Sequence, residues 1–154
     1  MIMMEFSGCS LLYVDPVDSE NKEEYLEAVW IIGETGESPV RISSISQKLK
    51  ITPPSAVQML KKLEKEGCIN YKNREGVTLT RKGRIIGQRM VRNGMLIESL
   101  MVKSLGIEID SKVACGIEHH MTDEFANALC SLMKHPIKCP HGNLIPKGNC
   151  CNKN

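Results

Sequence analysis

The chain has 154 residues, 42% of them hydrophobic and 25% charged, which is enough for one globular domain or two small ones. No apolar run approaches the roughly 20 residues of a membrane helix, and the start has no basic, apolar secretory segment, so a soluble, cytoplasmic protein is expected. Seven cysteines in that setting argue for reduced thiols instead of a disulfide framework. The net charge of +2 hides a segregation. Residues 41–92 hold thirteen Lys/Arg against Glu64, Glu66 and Glu75, a net of +10, while residues 1–40 hold nine acids against Lys22, a net of −8. A basic middle of this strength suits a phosphate-binding surface, the alternative being a solvated basic face.

Residues 1–18 show no period and end at Asp15-Pro16, a breaker, and are expected to form an irregular extension. A helix is predicted from Ser19, with Tyr25, Leu26, Val29, Trp30 and Gly33 on one face, closed by Gly33 and Gly36. Glu20, Glu23, Glu24 and Glu27 crowd its first turns, where carboxylates suit the helix dipole. Ile42, Ile45 and Leu49 mark a second helix over 42–49. Thr52 as N-cap and Pro53 at the first helical position open a third, which runs to Glu66 with Val57, Leu60 and Leu63 defining its faces and Gly67 as its stop. Cys68–Lys72 and Val77–Thr80 read as strands joined by a turn at 73–76. Together these elements predict a winged helix-turn-helix over 19–84.

Thr80 then caps a long helix from Arg81 to Leu105 with apolar positions Ile85, Ile86, Met90, Val91, Leu96, Ile97, Leu100 and Met101. Gly83, Gly87 and Gly94 inside it cost about 1 kcal/mol each against alanine and imply close contacts. A helix from Ser111 and another from Thr122, with Phe125, Leu129, Leu132 and Met133 inward, complete a helical domain over 85–138. The apolar surface of these helices exceeds what they can bury alone, which predicts a homodimer. Residues 139–154 form a Cys-rich tail, expected to be irregular. The expected fold is mainly α, an N-terminal winged helix-turn-helix followed by a helical dimerisation domain.

Cys115-Gly116-Ile117-Glu118-His119 carries the chemistry. On a helix its thiol, carboxylate and imidazole lie at i, i+3 and i+4 on one face and can converge on a divalent transition metal of borderline softness. A purely structural cysteine beside a Glu-His pair gives the same pattern. His120 points about 100° away and reads as a surface or interface residue. On the third helix, Thr52, Pro54, Ser55 and Gln58 lie where base edges are reached. Gln58 can bond bidentately to adenine, Thr52 and Ser55 suit phosphate, and Lys61, Lys62, Lys72 and Arg74 supply further phosphate contacts. In the tail, Cys139, His141, Cys150 and Cys151 offer a zinc-like or redox site, although adjacent cysteines rarely share one ion. No nucleophile–base pair or phosphate loop points to an enzyme.

The chain resembles the diphtheria-toxin-repressor family of iron- and manganese-dependent transcriptional regulators. The resemblance spans residues 20–146 and lies in Glu23-Glu24-Tyr25-Leu26-Glu27, the helix-turn-helix through Ser55 and Gln58, Leu79-Thr80-Arg81-Lys82-Gly83, Gly116-Ile117-Glu118-His119-His120-Met121 and Cys139-Pro140-His141-Gly142-Asn143-Leu144-Ile145-Pro146. It implies a homodimer that binds double-stranded operator DNA when a divalent metal ties the start of the first helix to the dimerisation helices. It also implies a short form, ending at Asn154 without the SH3-like domain of longer members. The implied metal ligands are Cys115, Glu118 and His119 with Glu24, at a position that is methionine in iron-type and aspartate in manganese-type members, and Glu27, which manganese-type members also use. Glu98 matches an ancillary-site ligand, but the histidine the family places four residues earlier is Gly94 here, and none stands near Ser111. The thiol leans towards Fe2+ and the carboxylates towards Mn2+, so Fe2+ is expected, with Mn2+ the alternative. The expected function is a metal-activated repressor of iron or manganese homeostasis genes. The alternative is a metal-independent winged-helix module for DNA or protein, with Cys115, Glu118 and His119 structural.

Overall fold

In the computed structural model residues 16–152 are described, with side chains from Lys22 onward. Helix α1 (Pro16–Glu34), α2 (Ile42–Leu49) and α3 (Pro53–Lys65) surround one core built from Tyr25, Leu26, Val29, Ile45, Ala56, Leu60 and Leu63. The buried positions of α3 recur at i, i+4 and i+7, the stripe that a helix must turn inward. Thr52 caps α3 by accepting from the Ser55 N–H, and Pro53 follows where no N–H is needed.

Strands β1 (Ile69–Lys72) and β2 (Gly76–Leu79) form the antiparallel wing, with Tyr71 opposite Val77. Its turn uses Arg74 at φ 69° and Gly76 at φ 123°. A Cβ at Gly76 would run into the Val40 carbonyl, because Val40 and Val77 exchange two backbone bonds of 2.8 Å that lay the chain before α2 against the wing. Glu64 Oε1 accepts from the Tyr71 N–H at 2.9 Å and fastens the wing to α3.

Helix α4 (Arg81–Ser99) runs from this unit into a second core. That core holds Leu96, Ile97, Met101, Ala114, Met121, Ala126, Leu129, Cys130, Cys139 and Ile145, and is completed by α5 (Ser111–Glu118) and α6 (Asp123–Leu132). Helices α1 and α4 approach closely at Gly87, where the α4 backbone meets the α1 backbone. A Cβ at Gly87 would stand 2.6 Å from the Leu26 carbonyl, and one at Gly83 would collide with the Cys68 carbonyl. These two glycines answer to close contacts, as expected from their cost in a helix.

Several expectations need correction. Pro16 is the first residue of α1 and not a break, since proline at a helix start forfeits no bond; residues 1–15 of the expected irregular extension lie outside the described residues. Helix α4 ends at Ser99 and continues as a π-helical turn over Leu100–Ser104, where Ser99 Oγ donates back to the Met95 carbonyl at 2.8 Å. The tail is ordered: Lys138 bridges Leu144, and Asn149–Asn152 makes a 3-10 turn. Ile85, Phe125 and Leu132 do not face a core; they are 58%, 52% and 75% exposed. Periodicity finds a stripe, but not which edge of the stripe meets a neighbour. Phe125 and Ile117 line an apolar groove with Gly116, His120 and Met121 on the outer side of α5 and α6.

The α1–α4 contact yields a stability prediction. Gly87→Ala gains helix propensity but must push α1 off α4, so urea unfolding should show a net loss of about 1–3 kcal/mol. An unchanged midpoint would mean that the two helices are not held at this distance.

Candidate metal centre

Asp110 opens α5 by accepting from the N–H groups of Lys112 and Val113 at 3.0 and 3.1 Å. The helix therefore starts on time for Cys115, Glu118 and His119 to share the face that meets α1. Cys115 Sγ stands 3.9 Å from Glu24 Oε1, and donor atoms of Glu24, Cys115 and His119 lie within 4.8 Å of one another. The His119 side chain is 2% exposed. Its Nδ1 is 2.8 Å from Glu23 Oε2, and Arg89 donates to the other Glu23 oxygen at 3.1 Å. An N–H at Nδ1 donating to that carboxylate leaves Nε2 as a bare lone pair. Nε2 is buried without a hydrogen-bond partner, 3.8 Å from Glu118 Oε1. A buried, unsatisfied nitrogen held in one tautomer by a carboxylate is the arrangement of a metal-ligating histidine.

The electrostatics point the same way. Burial, then the charge of Glu27, pushes the Glu118 carboxyl up to about 8. Burial, then Glu118 and Glu24, pushes the Cys115 thiol up to about 12. Glu27 is also raised, first by its burial. His119 is raised mainly by its bond to Glu23, against the opposing effect of burial. Cys115, Glu118 and Glu27 are gathered where burial opposes their ionisation, and a divalent cation would relieve all three at once. The donor set of one thiol, one imidazole and several carboxylates fits a borderline ion of the iron(II) or manganese(II) type.

Gly94 gives this cluster room. A Cβ there would collide with the Glu118 carboxylate, so that side chain lies in the space that a residue larger than glycine would fill. Asn93, one residue earlier on α4, donates to the Glu118 carbonyl at 3.2 Å and holds the end of α5 against it.

Of the expected ligands, Glu24, Cys115, Glu118 and His119 come together. Glu27 is one turn further along α1, close enough for its charge to reach His119 and Glu118, but outside the tightest donor group. Glu98 belongs elsewhere: its Oε2 is 3.3 Å from His141 Nδ1, and it groups with Cys139 and His141. The expected tail cluster of Cys139, His141, Cys150 and Cys151 is thereby divided, because Cys139 packs in the second core beside α4 while Cys150 and Cys151 turn towards α6. Glu23 was missed as a functional residue. A glutamate in the first turns of a helix is explained by the dipole alone, and its bond to a histidine 96 positions away has no local signature.

The expected DNA contacts Thr52, Pro54, Ser55, Gln58, Lys61, Lys62, Lys72 and Arg74 are all exposed. Thr52 and Ser55 bond each other through their hydroxyls at 2.8 Å, and Lys72 pairs with Glu75 at 3.4 Å. Glu24 lines a groove with Ser55, Gln58 and Lys62, so the acidic stretch of α1 and the exposed face of α3 are neighbours.

The two parts of the chain match two family models. Residues 19–77 match the iron dependent repressor, N-terminal DNA binding domain, and residues 80–147 the iron dependent repressor, metal binding and dimerisation domain. An HTH-type transcriptional regulator of Methanocaldococcus jannaschii, itself uncharacterised, is 30% identical over 118 residues, 75% of this chain and 94% of that protein. The diphtheria toxin repressor of Corynebacterium diphtheriae is 28% identical over 129 residues, 82% of this chain but 57% of that protein, so the chain spans little more than half its length. Among solved structures, the manganese regulator SloR aligns with a TM-score of 0.71 and 30% identity over 82% of this chain and 59% of its own. A manganese-dependent transcriptional repressor in complex with manganese aligns with a TM-score of 0.74 and 25% identity, over 83% and 59%.

Two outcomes are expected at this centre. Gly94→Ala should fold at least as stably as the parent, since alanine is favoured over glycine by about 1 kcal/mol in a helix. It should nevertheless bind iron(II) or manganese(II) about tenfold or more weakly, because the Glu118 carboxylate is displaced; unchanged affinity in a calorimetric titration would remove Glu118 from the site. Metal affinity should also rise steeply with pH between about 6 and 8. Cys115, Glu118 and His119 all carry raised values and all must be free of protons to bind a cation, so affinity keeps climbing with pH, and the Cys115 thiol holds its proton longest.

Proposed function

The chain belongs to the iron-dependent repressor family of metal-dependent transcriptional regulators, and from that membership we propose that it is a homodimeric repressor of iron or manganese homeostasis genes that grips operator DNA when it holds a divalent cation. The observation that carries this reading is the buried, unpartnered Nε2 of His119, with Cys115 and Glu118 beside it on α5 and Glu24 reaching in from α1. A bound divalent ion supplies a cross-link between α1, part of the winged-helix core, and α5, part of the second core. Iron(II) suits the thiol, with manganese(II) the alternative favoured by the carboxylates of Glu24 and Glu27. Glu98, Cys139 and His141 are the residues that could hold an ancillary ion.

The chain's own residues convert that link into DNA affinity. Glu23 holds the His119 ring in the tautomer that frees Nε2. Tyr25 and Leu26 on α1 pack in the same core as Ala56 and Leu60 on α3, so fixing α1 fixes the reading helix. Gln58 then reads a base edge, Thr52, Pro54 and Ser55 set the approach of α3, and Lys61, Lys62, Lys72 and Arg74 hold phosphates. The exposed apolar face of Ile117 and Phe125 supports a second copy docking there, which sets the distance between two reading helices. Without the link the winged units sample several placements, and an effector must favour one of them. No helix among the described residues is long and apolar enough to cross a membrane, and the reading places the protein in the cytoplasm with no enzymatic role.

The test selects a duplex from a random library in the presence of iron(II), then measures its affinity at fixed salt with and without iron(II) or manganese(II). Couplings between ligand sites typically span about 5–150-fold, and tightening in that range is expected, abolished by Cys115→Ala. Equal affinity with and without metal, or a Cys115→Ala protein that still responds, overturns the reading.

A further inference from the structure

We propose that Cys130, His135, Cys150 and Cys151 form a closed, tetrahedral zinc(II) site that staples residues 148–152 to the end of α6, separate from the donors on α1 and α5. Cys130 Sγ lies 3.5 Å from His135 Nδ1 and 3.8 Å from Cys151 Sγ, Cys151 Sγ lies 3.7 Å from His135 Nδ1, and the Cys150 and Cys151 sulphurs are 3.8 Å apart. Ligands at Zn–S of about 2.3 Å and Zn–N of about 2.0–2.1 Å in a tetrahedron stand about 3.8 Å (S···S) and about 3.6 Å (S···N) from one another. The four contacts match four of the six edges of that tetrahedron, and the other two, from Cys150 to Cys130 and to His135, are within 4.8 Å. They do not match a disulfide, whose sulphurs are about 2.05 Å apart.

The backbone is shaped to deliver these side chains. Lys134 and His135 are consecutive non-glycine residues with left-handed φ of 59° and 54°. The Lys134 N–H donates to Ser131 O at 3.0 Å and the His135 N–H to Cys130 O at 2.8 Å, folding the imidazole back over the thiol of the preceding turn. Across from them, the Cys151 N–H donates to Gly148 O at 3.0 Å, and the tight 3-10 turn of Asn149–Asn152 brings two adjacent thiols to one side. That turn removes the usual objection to neighbouring cysteines sharing an ion.

Charge supplies a second, independent observation. Arg92 is 7% exposed, and its Nη2 donates to Cys150 Sγ at 3.3 Å and to Asn127 Oδ1 at 3.1 Å. Gly148 leaves the room, since a Cβ there would collide with the guanidinium. Among the described residues no carboxylate pairs with Arg92, so a buried cation faces an amide and a thiol. A buried charge needs a counter-charge. Three thiolates on zinc(II) carry a net charge of −1, and Arg92 is placed to compensate it through an N–H···S bond to a ligating sulphur. Three thiolates select a soft or borderline metal over manganese, and four protein ligands leave no open position, which marks a structural ion.

The full chain, freed of metal, is titrated with zinc(II) alone, and cysteine alkylation is located by mass spectrometry. One zinc ion per subunit should survive in Cys115→Ala, and Cys130, Cys150 and Cys151 should alkylate about tenfold or more slowly with zinc than without it. Cobalt(II) in the same protein should give the charge-transfer bands of a tetrahedral thiolate site. Cys151→Ser, a near-isosteric change at a half-buried turn position on the edge of the second core, should lose the ion and the bands while keeping its helical circular dichroism. The proposal is overturned if Cys151→Ser holds zinc as the parent does, if alkylation is indifferent to zinc, or if the freshly purified protein carries a disulfide among these three cysteines. Because the Cys115→Ala background removes the α1–α5 site, this result and the fate of the proposed function can be told apart.

Discussion

The bond between Glu23 and His119 joins the middle of α1 to the end of α5, and the proposed cation centre depends on it. It spends one ring nitrogen on a carboxylate that is itself anchored by Arg89, and leaves the other buried and bare. A nitrogen in that state has no hydrogen-bond partner among the described residues. Around it, burial and neighbouring charge push the Cys115 thiol up to about 12 and the Glu118 carboxyl up to about 8, so both keep protons that a bound cation would have to displace. The destabilisation is local, shared by two helices from different cores, and removable by one ion. That is what the proposed sensing role needs, since an effector must favour one arrangement of the two helices over others.

Glycines set the distances on which this depends. Gly83 and Gly87 let α4 approach the wing and α1 closely enough for side chains from α1 to meet α5. Gly94 acts differently, because what it admits is the Glu118 side chain rather than a backbone. Where the family resemblance implies an imidazole, this chain has space, and a carboxylate fills it. The centre is therefore richer in oxygen donors than its cysteine suggests, which bears on the choice between iron(II) and manganese(II).

The thiols divide by neighbourhood. Cys115 stands among carboxylates, Cys139 is buried near Glu98 and His141, and Cys130, Cys150 and Cys151 gather around a histidine and a buried arginine. The same side chain is thus offered to a hard-leaning site, a mixed site and a soft one. A zinc staple at the last would hold the segment that packs beneath Arg92, on the helix that links the two cores.

Much of this was legible in the amino acids themselves. Caps at Thr52, Thr80 and Thr122, the helical periods, the turn before Gly76 and the i, i+3, i+4 spacing of Cys115, Glu118 and His119 are local statements, enforced by backbone geometry within one or two turns. The basic middle and the glycines that demand close contacts are equally local. Partners far apart in the chain were decided only by the tertiary structure. Glu23 serves His119, Glu98 joins Cys139 and His141, and Cys130 and His135 gather the two tail cysteines because α4 carries one core to the other and the tail folds back across α6. Periodicity placed Phe125 and Leu132 on an apolar stripe, but exposure is a property of what packs opposite, and among the described residues nothing covers them. Sequence determines which donors exist and which way each helix turns them, whereas the packing of helices decides which donors share an ion.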